Sequence, residues 1–309
     1  MLKRNGQFLT ATKTTLAIAV LGLALTACGG DDTPADSGAK AEGGGVCAET
    51  DAKDDLLADV CDRNELRVST DPAYPPQSSL DEVNNTYEGF DIDVATEVAN
   101  RLGVEIGWET PSWDVLTAGG WNGRWDMSVG SMTPTNDRQE VLNFTDPYYY
   151  TPAVMVVHED NTSVADLSAD LDGKTIGVCS GCTYEQYIDK SLAIDGFTFD
   201  FVVDDATIKG YDTDTTALQD LTLGDGARLD AVMTSLTTAQ GFAADKPVKI
   251  VGDPLFYEPL SVAFDKSSSL DSASLREAVN DIIAEMHADG TLTKLSQKWY
   301  DGTDLTVQK

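Results

Sequence analysis

LRVSTDPAYPP at residues 66–76 and YEGFDIDVATEVANRLGV at residues 87–104 indicate the fold of this chain. The first segment is typical of a strand that ends in a Pro-rich turn. In the second segment apolar side chains recur on one helical face, and Gly103 follows as a C-cap. Strand, turn and helix in this order predict the start of a parallel sheet covered by helices.

The alternation of short apolar runs and helical stretches continues toward the C-terminus, with a second series beginning after Thr151-Pro152. Further strands are predicted at 104–108, 126–129, 175–178, 199–203, 229–233 and 248–251. Further helices are predicted at 115–118, 184–190, 216–223, 275–286 and 292–299. Two α/β units of similar size imply a cleft between them, and ligands of open α/β sheets bind at the carboxyl ends of the strands.

Residues 1–27 are typical of a secretory signal, because basic residues precede the apolar run Leu16–Leu25, which is too short to span a bilayer. The run ends in LTAC, which resembles the bacterial lipobox, so Cys28 is predicted to carry a lipid. An ordinary signal peptide with a chance cysteine is the alternative. Residues 28–64 are predicted to hold a flexible Gly-, Asp- and Ala-rich tether and the segment between the next two cysteines.

Four cysteines remain beyond the lipobox: Cys47, Cys61, Cys179 and Cys182. An exported chain is expected to oxidise them, and of three possible pairings the local one, 47 with 61 and 179 with 182, is the simplest. A disulfide needs Cα atoms within about 7 Å, so the chain between Cys47 and Cys61 must fold back. For the CxxC, a redox motif and a zinc site remain alternatives to the structural disulfide that we favour.

The chain has 309 residues, with 52 acidic against 21 basic side chains and a formal net charge of −31. This balance argues against nucleic acid and anionic membrane surfaces as partners, because both need a basic footprint. The hydrophobic fraction of 41% predicts a packed core. HExxH, GxSxG and phosphate-loop motifs do not occur, so we predict no catalytic residue, no metal and no cofactor.

Several ordered segments resemble the family 3 extracellular solute-binding proteins, which serve ABC importers, mostly of polar amino acids. They are LRVSTDPAYPP, YEGFDIDVATEVANRLGV, WDMSVGSMTPTNDRQEVLNFTDPYY, GKTIGV followed by SG and TYEQY, YDTDTTALQDL, RLDAVMTS and AEMHADGTLTKLSQKWY. The resemblance implies a two-lobed, type II periplasmic-binding-protein-like α/β fold, with a ligand cleft between two mainly parallel lobes. Two crossover strands near 151–153 and 253–258 would join lobe 1 (65–152 plus 259–309) to lobe 2 (153–258).

The resemblance also implies ligand-binding positions in lobe 1. Arg138 matches the arginine that grips the ligand carboxylate, a task that suits a planar guanidinium. Ser131 and Thr133 match positions whose hydroxyls and amides reach the ligand, and Gly130 matches a backbone contact. A surface ion pair for Arg138 and turn chemistry for the other three are the alternatives.

Aromatic and acidic positions complete the predicted site. Tyr74 and Trp113 match the aromatic residues that sandwich the ligand side chain, although core packing would also explain them. Asp71 matches an acid at the edge of the cleft that can polarise a ligand amine or set a turn. In lobe 2, Gly181, Cys182 and Thr183 match a loop that binds the α-carboxylate through backbone amides.

Two positions depart from the family pattern. The family usually places an Asp, which accepts the ligand's α-ammonium, where this chain has Ser235. A neutral hydroxyl is a weaker partner for a buried ammonium than a carboxylate is. Either another acid, such as Asp71, takes the amine, or the ligand lacks a standard α-amine. The second departure is Gln77, where many relatives carry Phe.

The sequence therefore predicts a monomeric, lipid-anchored receptor that hands a small polar solute, an amino acid in the first place, to a membrane permease on the extracytoplasmic face. An enzyme on the same fold, such as a cyclohexadienyl-dehydratase-like lyase, and a receptor for a carboxylate without an α-amine are the alternatives. A sensor domain ranks last, because signalling relatives usually continue into a membrane span whereas this chain ends soon after Tyr300.

Overall fold

The computed structural model describes residues 44–307. The predicted signal peptide, the lipidation site Cys28 and nearly all of the predicted tether lie outside the described residues. Among the helices in this range, none combines the length and the apolar character that crossing a bilayer requires.

The described chain begins with two short helices, α1 (Val46–Glu49) and α2 (Leu56–Arg63). The segment folds back between them, and a disulfide joins Cys47 to Cys61 with Cα atoms 5.3 Å apart. Asp55 is the N-cap of helix α2, because its carboxylate accepts a hydrogen bond from a backbone amide of the first turn. Leu56, Leu57 and Val60 of α2 are buried in the main hydrophobic core, so this segment packs against the body of the protein.

Eleven strands follow. In chain order they are β1 (Glu65–Ser69), β2 (Ala73–Tyr74), β3 (Ser78–Asp81), β4 (Thr86–Glu88), β5 (Glu105–Glu109), β6 (Met127–Met132), β7 (Leu142–His158), β8 (Lys174–Cys179), β9 (Ala206–Tyr211), β10 (Ala231–Ser235) and β11 (Val248–Asp265). Eight of them form one sheet in the order β5-β1-β6-β11-β7-β10-β8-β9, and β2, β3 and β4 form a small antiparallel sheet.

The large sheet passes through two lobes. Strands β5, β1 and β6 run parallel in lobe 1, and β10, β8 and β9 run parallel in lobe 2. The two long strands β7 and β11 are antiparallel to each other and continue from one lobe into the other. Their pairing is interrupted between Val251 and Phe256, and Glu258 then pairs with Thr151. In each lobe the parallel strands therefore pair with one antiparallel strand at the junction, which is β11 in lobe 1 and β7 in lobe 2.

Eight further helices cover the sheet. They are α3 (Phe90–Leu102), α4 (Trp113–Thr117), α5 (Asn136–Val141), α6 (Thr183–Ile188), α7 (Asp214–Leu221), α8 (Leu236–Ala243), α9 (Ala273–Ala288) and α10 (Thr291–Trp299). The main core of lobe 1 joins β1 and α3 to α9 and α10, and it includes side chains as far apart in sequence as Leu56 and Leu305. The cores of lobe 2 draw on residues between Ala153 and Phe256. Each fully buried aliphatic side chain stabilises the fold by about 1.5–3 kcal/mol.

One predicted strand is wrong. Residues 199–203 are not part of any sheet, and the strand in this region is β9, at Ala206–Tyr211. The alternating aromatic side chains Phe197, Phe199 and Phe201 pack against the lobe 2 core. The hydroxyl of Tyr187 bonds the backbone of this segment, accepting from the Val202 amide and donating to the Asp200 carbonyl. The alternation thus reflects aromatic packing without strand pairing.

Candidate ligand-binding cleft

A cavity of about 40 Å³ lies between the lobes at the carboxyl ends of the parallel strands. Nine of the eleven predicted binding residues line it: Asp71, Tyr74, Trp113, Gly130, Ser131, Thr133, Arg138, Cys182 and Thr183. Cys179, Tyr184, Asp212, Thr213, Asp214 and Glu258 complete the wall. Gly181 and Ser235 are not part of the wall. The structure therefore brings most of the predicted site together, while the binding role of each residue stays a prediction.

Arg138 lies at one end of the cavity, only 5% exposed, on helix α5. Its Nη1 donates to the Thr133 carbonyl at 3.0 Å, and its Nη2 donates across the cleft to the Gly181 carbonyl at 2.9 Å. The ring of Trp113 lies against the guanidinium, with its centroid 5.0 Å from Cζ, and the indole Nε1 also donates to Gly181. Arginine and tryptophan of lobe 1 thus bind the loop that precedes α6.

Burial lowers the pKa of Arg138 to about 10, and the negative charge of Glu258 offsets part of this effect. The guanidinium therefore remains cationic at neutral pH. A ligand carboxylate entering here would exchange two neutral carbonyl acceptors for a charged one, and charge-assisted hydrogen bonds are about twice as strong as neutral ones.

Glu258 lies next to this end, on the crossover strand β11, and is 2% exposed. Its Oε2 accepts hydrogen bonds at 2.7 Å from the hydroxyls of Thr133 and Thr183, and its Oε1 accepts one at 2.9 Å from Tyr184. Burial raises the pKa of Glu258, whereas these three donors lower it. One carboxylate on the crossover thus holds hydroxyls from both lobes.

Two aspartates also line the cavity. Asp71 follows β1 and accepts a hydrogen bond at 2.8 Å from the Ala73 amide, so it sets the turn before β2. Asp214 is the first residue of α7 and is 5% exposed, yet its Oδ1 is buried without a hydrogen-bond partner in the described chain. Burial raises the pKa of Asp214 to about 7, the nearby Thr234 side chain opposes this shift, and the charges of Asp71 and Glu258 add to it.

Ser131 is held by a buried network in lobe 1. Its φ of +53° lies in the left-handed region, which costs a non-glycine residue about 1 kcal/mol or more. The amide of Ser131 donates to the Tyr148 hydroxyl at 3.1 Å, and its Oγ donates to Asp91 at 2.8 Å and lies 2.6 Å from the Tyr149 hydroxyl. Tyr148 donates in turn to Asp91 at 2.7 Å. Burial raises the pKa of Asp91 to about 7, although its two donors oppose the shift.

The model of the bacterial extracellular solute-binding proteins, family 3, matches residues 66–302, which contain every lining residue named above. The chain belongs to this family. The family assignment from sequence and the two-lobed type II fold are thus confirmed.

Characterised relatives of this solute-binding protein are amino-acid-binding proteins. The L-cystine-binding protein TcyJ of Escherichia coli K12 is 30% identical over 264 residues, which cover 85% of this chain and 92% of the relative. The histidine-binding periplasmic protein of Salmonella typhimurium LT2 is 30% identical over 242 residues, covering 77% and 88% of the two chains.

Solved structures agree with these relatives. The ancestral amino-acid-binding protein AncCDT-1, described as a precursor of cyclohexadienyl dehydratase, superposes with a TM-score of 0.68 at 30% identity, covering 79% of this chain and 99% of that one. An ancestral arginine-binding protein bound to arginine has a TM-score of 0.65 at 34% identity, with coverage of 77% and 99%.

The two departures from the family pattern touch each other in this solute-binding protein. Ser235 is fully buried behind the cavity wall, where it caps helix α8 by accepting from the Thr238 amide. The Gln77 amide of lobe 1 donates to Ser235 at 3.1 Å and to Thr237 at 3.0 Å, and it accepts from Thr238 at 3.4 Å. The contact of Ser235 with the ligand stays a prediction, and in this structure Ser235 makes a buried hydrogen bond between the lobes.

The CxxC lies in the loop before α6. A disulfide joins Cys179 to Cys182, with Cα atoms 5.5 Å apart, and Gly181 between them has a φ of +72° that favours glycine. Both sulfurs lie within 4.8 Å of an Asp214 oxygen, which resembles a metal-ligand set. The sulfurs are bonded to each other, however, and a disulfide offers no thiolate to a metal. The loop thus contributes backbone groups to the cleft, and its Gly181 carbonyl accepts a hydrogen bond from Arg138.

Sequence reasoning missed the roles of Tyr184, Asp214 and Glu258. Tyr184 and Asp214 lie inside segments that match the family, TYEQY and YDTDTTALQDL, but no local pattern distinguishes them from surface residues. Glu258 ends the predicted crossover 253–258, where an acid in a strand between two lobes is a signal that could have been used. Its burial and its three donors become visible only when both lobes are present.

Proposed function

We propose that this chain is the amino-acid receptor of an ABC importer. The observation that carries the proposal is the charge of the cleft wall, which contains a buried arginine together with acidic side chains. A zwitterion complements this arrangement, since its carboxylate meets Arg138 and its ammonium meets an acid. Relatives named for cystine, histidine and arginine support an amino acid over other small solutes.

The proposed mechanism is closure around the solute. Arg138 and the other lobe 1 groups bind it first, and lobe 2 then closes by bending at the two crossover strands. Residues 65–152 with 259–309 and residues 153–258 are the two bodies that we expect to move. The closed protein presents a surface made by both lobes, and this surface is what the permease would recognise.

We place the protein on the extracytoplasmic side of the cell membrane, with a lipid on Cys28 as its anchor. The signal-like leader and the LTAC sequence support this placement. Expression of the full chain in a bacterial host with a labelled fatty acid should mark the wild-type protein and leave Cys28→Ala unlabelled and released from the membrane. Equal labelling of both proteins would contradict the anchor.

The binding function is tested by titration calorimetry of the purified protein with L-cystine, L-histidine, L-arginine and L-glutamine. We expect at least one of them to bind and to be recovered unchanged after incubation. Prephenate is included as a substrate probe, because a dehydratase would convert it to a new product. Turnover of prephenate without binding of any amino acid would overturn the receptor assignment.

A further inference from the structure

We infer that Asp214 is the group that binds the ammonium of the solute, in the cleft that Arg138 also lines. The inference rests on the proposed amino-acid function and adds to it the residue that takes over from the family aspartate absent at Ser235. It identifies a specificity residue in lobe 2, whereas the sequence suggested Asp71 of lobe 1 as the substitute.

The inference follows from comparing the four carboxylates that line the cavity. Glu258 already accepts hydrogen bonds from three hydroxyls, and Asp71 accepts the Ala73 amide that fixes its turn. Asp212 is exposed to solvent. Asp214 alone among these four is buried and has an oxygen without a partner in the described residues. Buried polar atoms nearly always have a hydrogen-bond partner, so this oxygen points to a group that arrives with the solute.

The position of Asp214 fits a ligand that also contacts Arg138. The Asp214 carboxylate lies within 4.8 Å of the sulfurs of Cys179 and Cys182, and Arg138 donates to the carbonyl of Gly181 in the same loop. The carboxylate and the ammonium of an α-amino acid are attached to one carbon atom, so their two protein partners must lie close to each other. A carboxylate at Arg138 and an ammonium at Asp214 orient an amino acid in one direction only.

Helix α7 holds Asp214 in place. Thr213 caps the helix through reciprocal hydrogen bonds with Thr216, and Asp214 follows as the first helical residue. The first turn of a helix favours a negative charge, which supports the ionised form that an ammonium needs. Burial opposes ionisation and raises the pKa of Asp214 to about 7, so a bound ammonium supplies the charge that the empty site lacks.

The test compares Asp214→Asn with wild type on two pairs of probes. L-cystine is paired with 3,3′-dithiodipropionate, and L-histidine with imidazolepropionate; the second member of each pair lacks the α-ammonium. Calorimetry with the variant should show a loss of about 30-fold or more in affinity for whichever amino acid binds wild type, and little change for its deaminated partner. Asp205→Asn is the matched control, because it removes one exposed charge from the same lobe. Asp214→Glu, which keeps the charge, should retain a preference for the amino acid.

Each outcome decides the matter. If Asp214→Asn binds the amino acid as wild type does, the inference fails and the receptor function stands. If the variant loses both members of a pair equally, Asp214 supports the fold instead of the ammonium, and the inference also fails. If wild type binds none of these four probes and neither L-arginine nor L-glutamine, the proposed amino-acid function fails first, and the role of Asp214 fails with it.

Discussion

The part of the cleft wall around Arg138 (the Arg138 end) and the part around Asp214 (the Asp214 end) differ in how far their charges are satisfied. At the Arg138 end, the guanidinium donates to carbonyls from both lobes and Glu258 accepts three hydroxyls. At the Asp214 end, a carboxylate with similar burial keeps an oxygen without a partner in the described chain. The first end can hold the lobes together without a solute, because its hydrogen bonds are made by the protein itself. The second end is completed only by something that enters.

Because of this difference, we expect Arg138 and Asp214 to contribute differently to affinity and to selectivity. A carboxylate that binds Arg138 must displace existing bonds, so its gain is the difference between a charged and a neutral acceptor. An ammonium that binds Asp214 displaces nothing and neutralises a buried charge. We therefore expect the satisfied end to position the solute and the unsatisfied end to discriminate between solutes.

Replacing Arg138 by Ala should have the largest effect on binding. The change removes the charged donor and leaves the solute carboxylate buried without a partner, which costs about 3–5 kcal/mol, or a factor of 10²–10⁴ in Kd. Titration calorimetry with the amino acid that binds wild type measures it. Arg228→Ala, which removes an exposed arginine of lobe 2, is the control. If Arg138→Ala binds the amino acid as wild type does, Arg138 is not the group that binds the solute carboxylate.

Asp214→Asn should stabilise the ligand-free protein at high pH. The folded pKa of about 7 exceeds the unfolded value of 3.8, so the folded state holds this proton more tightly and the wild-type free energy of unfolding falls as pH rises between these values. Asn does not titrate, so the variant should be more stable than wild type above pH 7 by on the order of 2–4 kcal/mol, and the difference should vanish below about pH 4.

Denaturant unfolding across this pH range measures the difference. Asp71, Glu258 and the Tyr74 hydroxyl are close enough to shift the titration of neighbouring groups, but they are present in both proteins and largely cancel. Asp205→Asn should give no such pH-dependent gain, because its carboxylate is exposed. A variant less stable than wild type at pH 8 would show that Asp214 has a stabilising partner.

The two disulfides provide a second contrast between the lobes. Cys47 and Cys61 are 14 residues apart, whereas Cys179 and Cys182 are three apart. In the chain-entropy model, replacing the first pair by Ser should cost about 3 kcal/mol and replacing the second about 2 kcal/mol. Denaturant unfolding of the two double variants measures both values. Solute binding should change more in the second variant, because that bridge lines the cleft; the opposite order would contradict this assignment.

Gln77→Leu should have a smaller effect, which acts on closure. The change removes the amide that bonds Ser235, Thr237 and Thr238 across the lobes and leaves their hydroxyls to one another, at a cost of about 1–2 kcal/mol. Small-angle scattering of the ligand-free variant should show a larger radius of gyration than wild type. Gln139→Leu, which removes a hydrogen bond within lobe 1, should leave the radius unchanged. Equal radii in both variants would mean that Gln77 does not control closure.

Local patterns predicted the parts of the fold that depend on local physics. The apolar stripe of α3 with Gly103 at its end, and the stripe of α9, are set by helical periodicity, so the structure reproduces them. A strand was wrongly predicted at 199–203 because alternating aromatic residues give the same sequence pattern whether or not the segment pairs with another strand. Strand β9, which carries the chain to Asp214, has only Ile208 and Tyr211 as large apolar side chains and was missed.

The site was predictable where residues occur in recurring segments, as for Thr133 and Arg138. It was not predictable where a role depends on contacts between distant segments. Gln77 and Ser235, the two departures from the family pattern, are 158 residues apart in sequence. The hydrogen bond between them explains both residues together, and neither position suggests it alone. The unpartnered oxygen of Asp214 is likewise a property of the assembled cleft.

The dependence of lobe 1 on both ends of the chain has a consequence for biogenesis. Its core combines Leu56 and Leu66 with Leu292 and Leu305, so it cannot close until nearly the whole chain is available. The cores of lobe 2 come from one continuous stretch and can form earlier. Contacts of such large sequence separation slow folding, because loop-closure entropy must be overcome before they form. The N-terminal half of the chain therefore contains no complete lobe until the C-terminal helices are available.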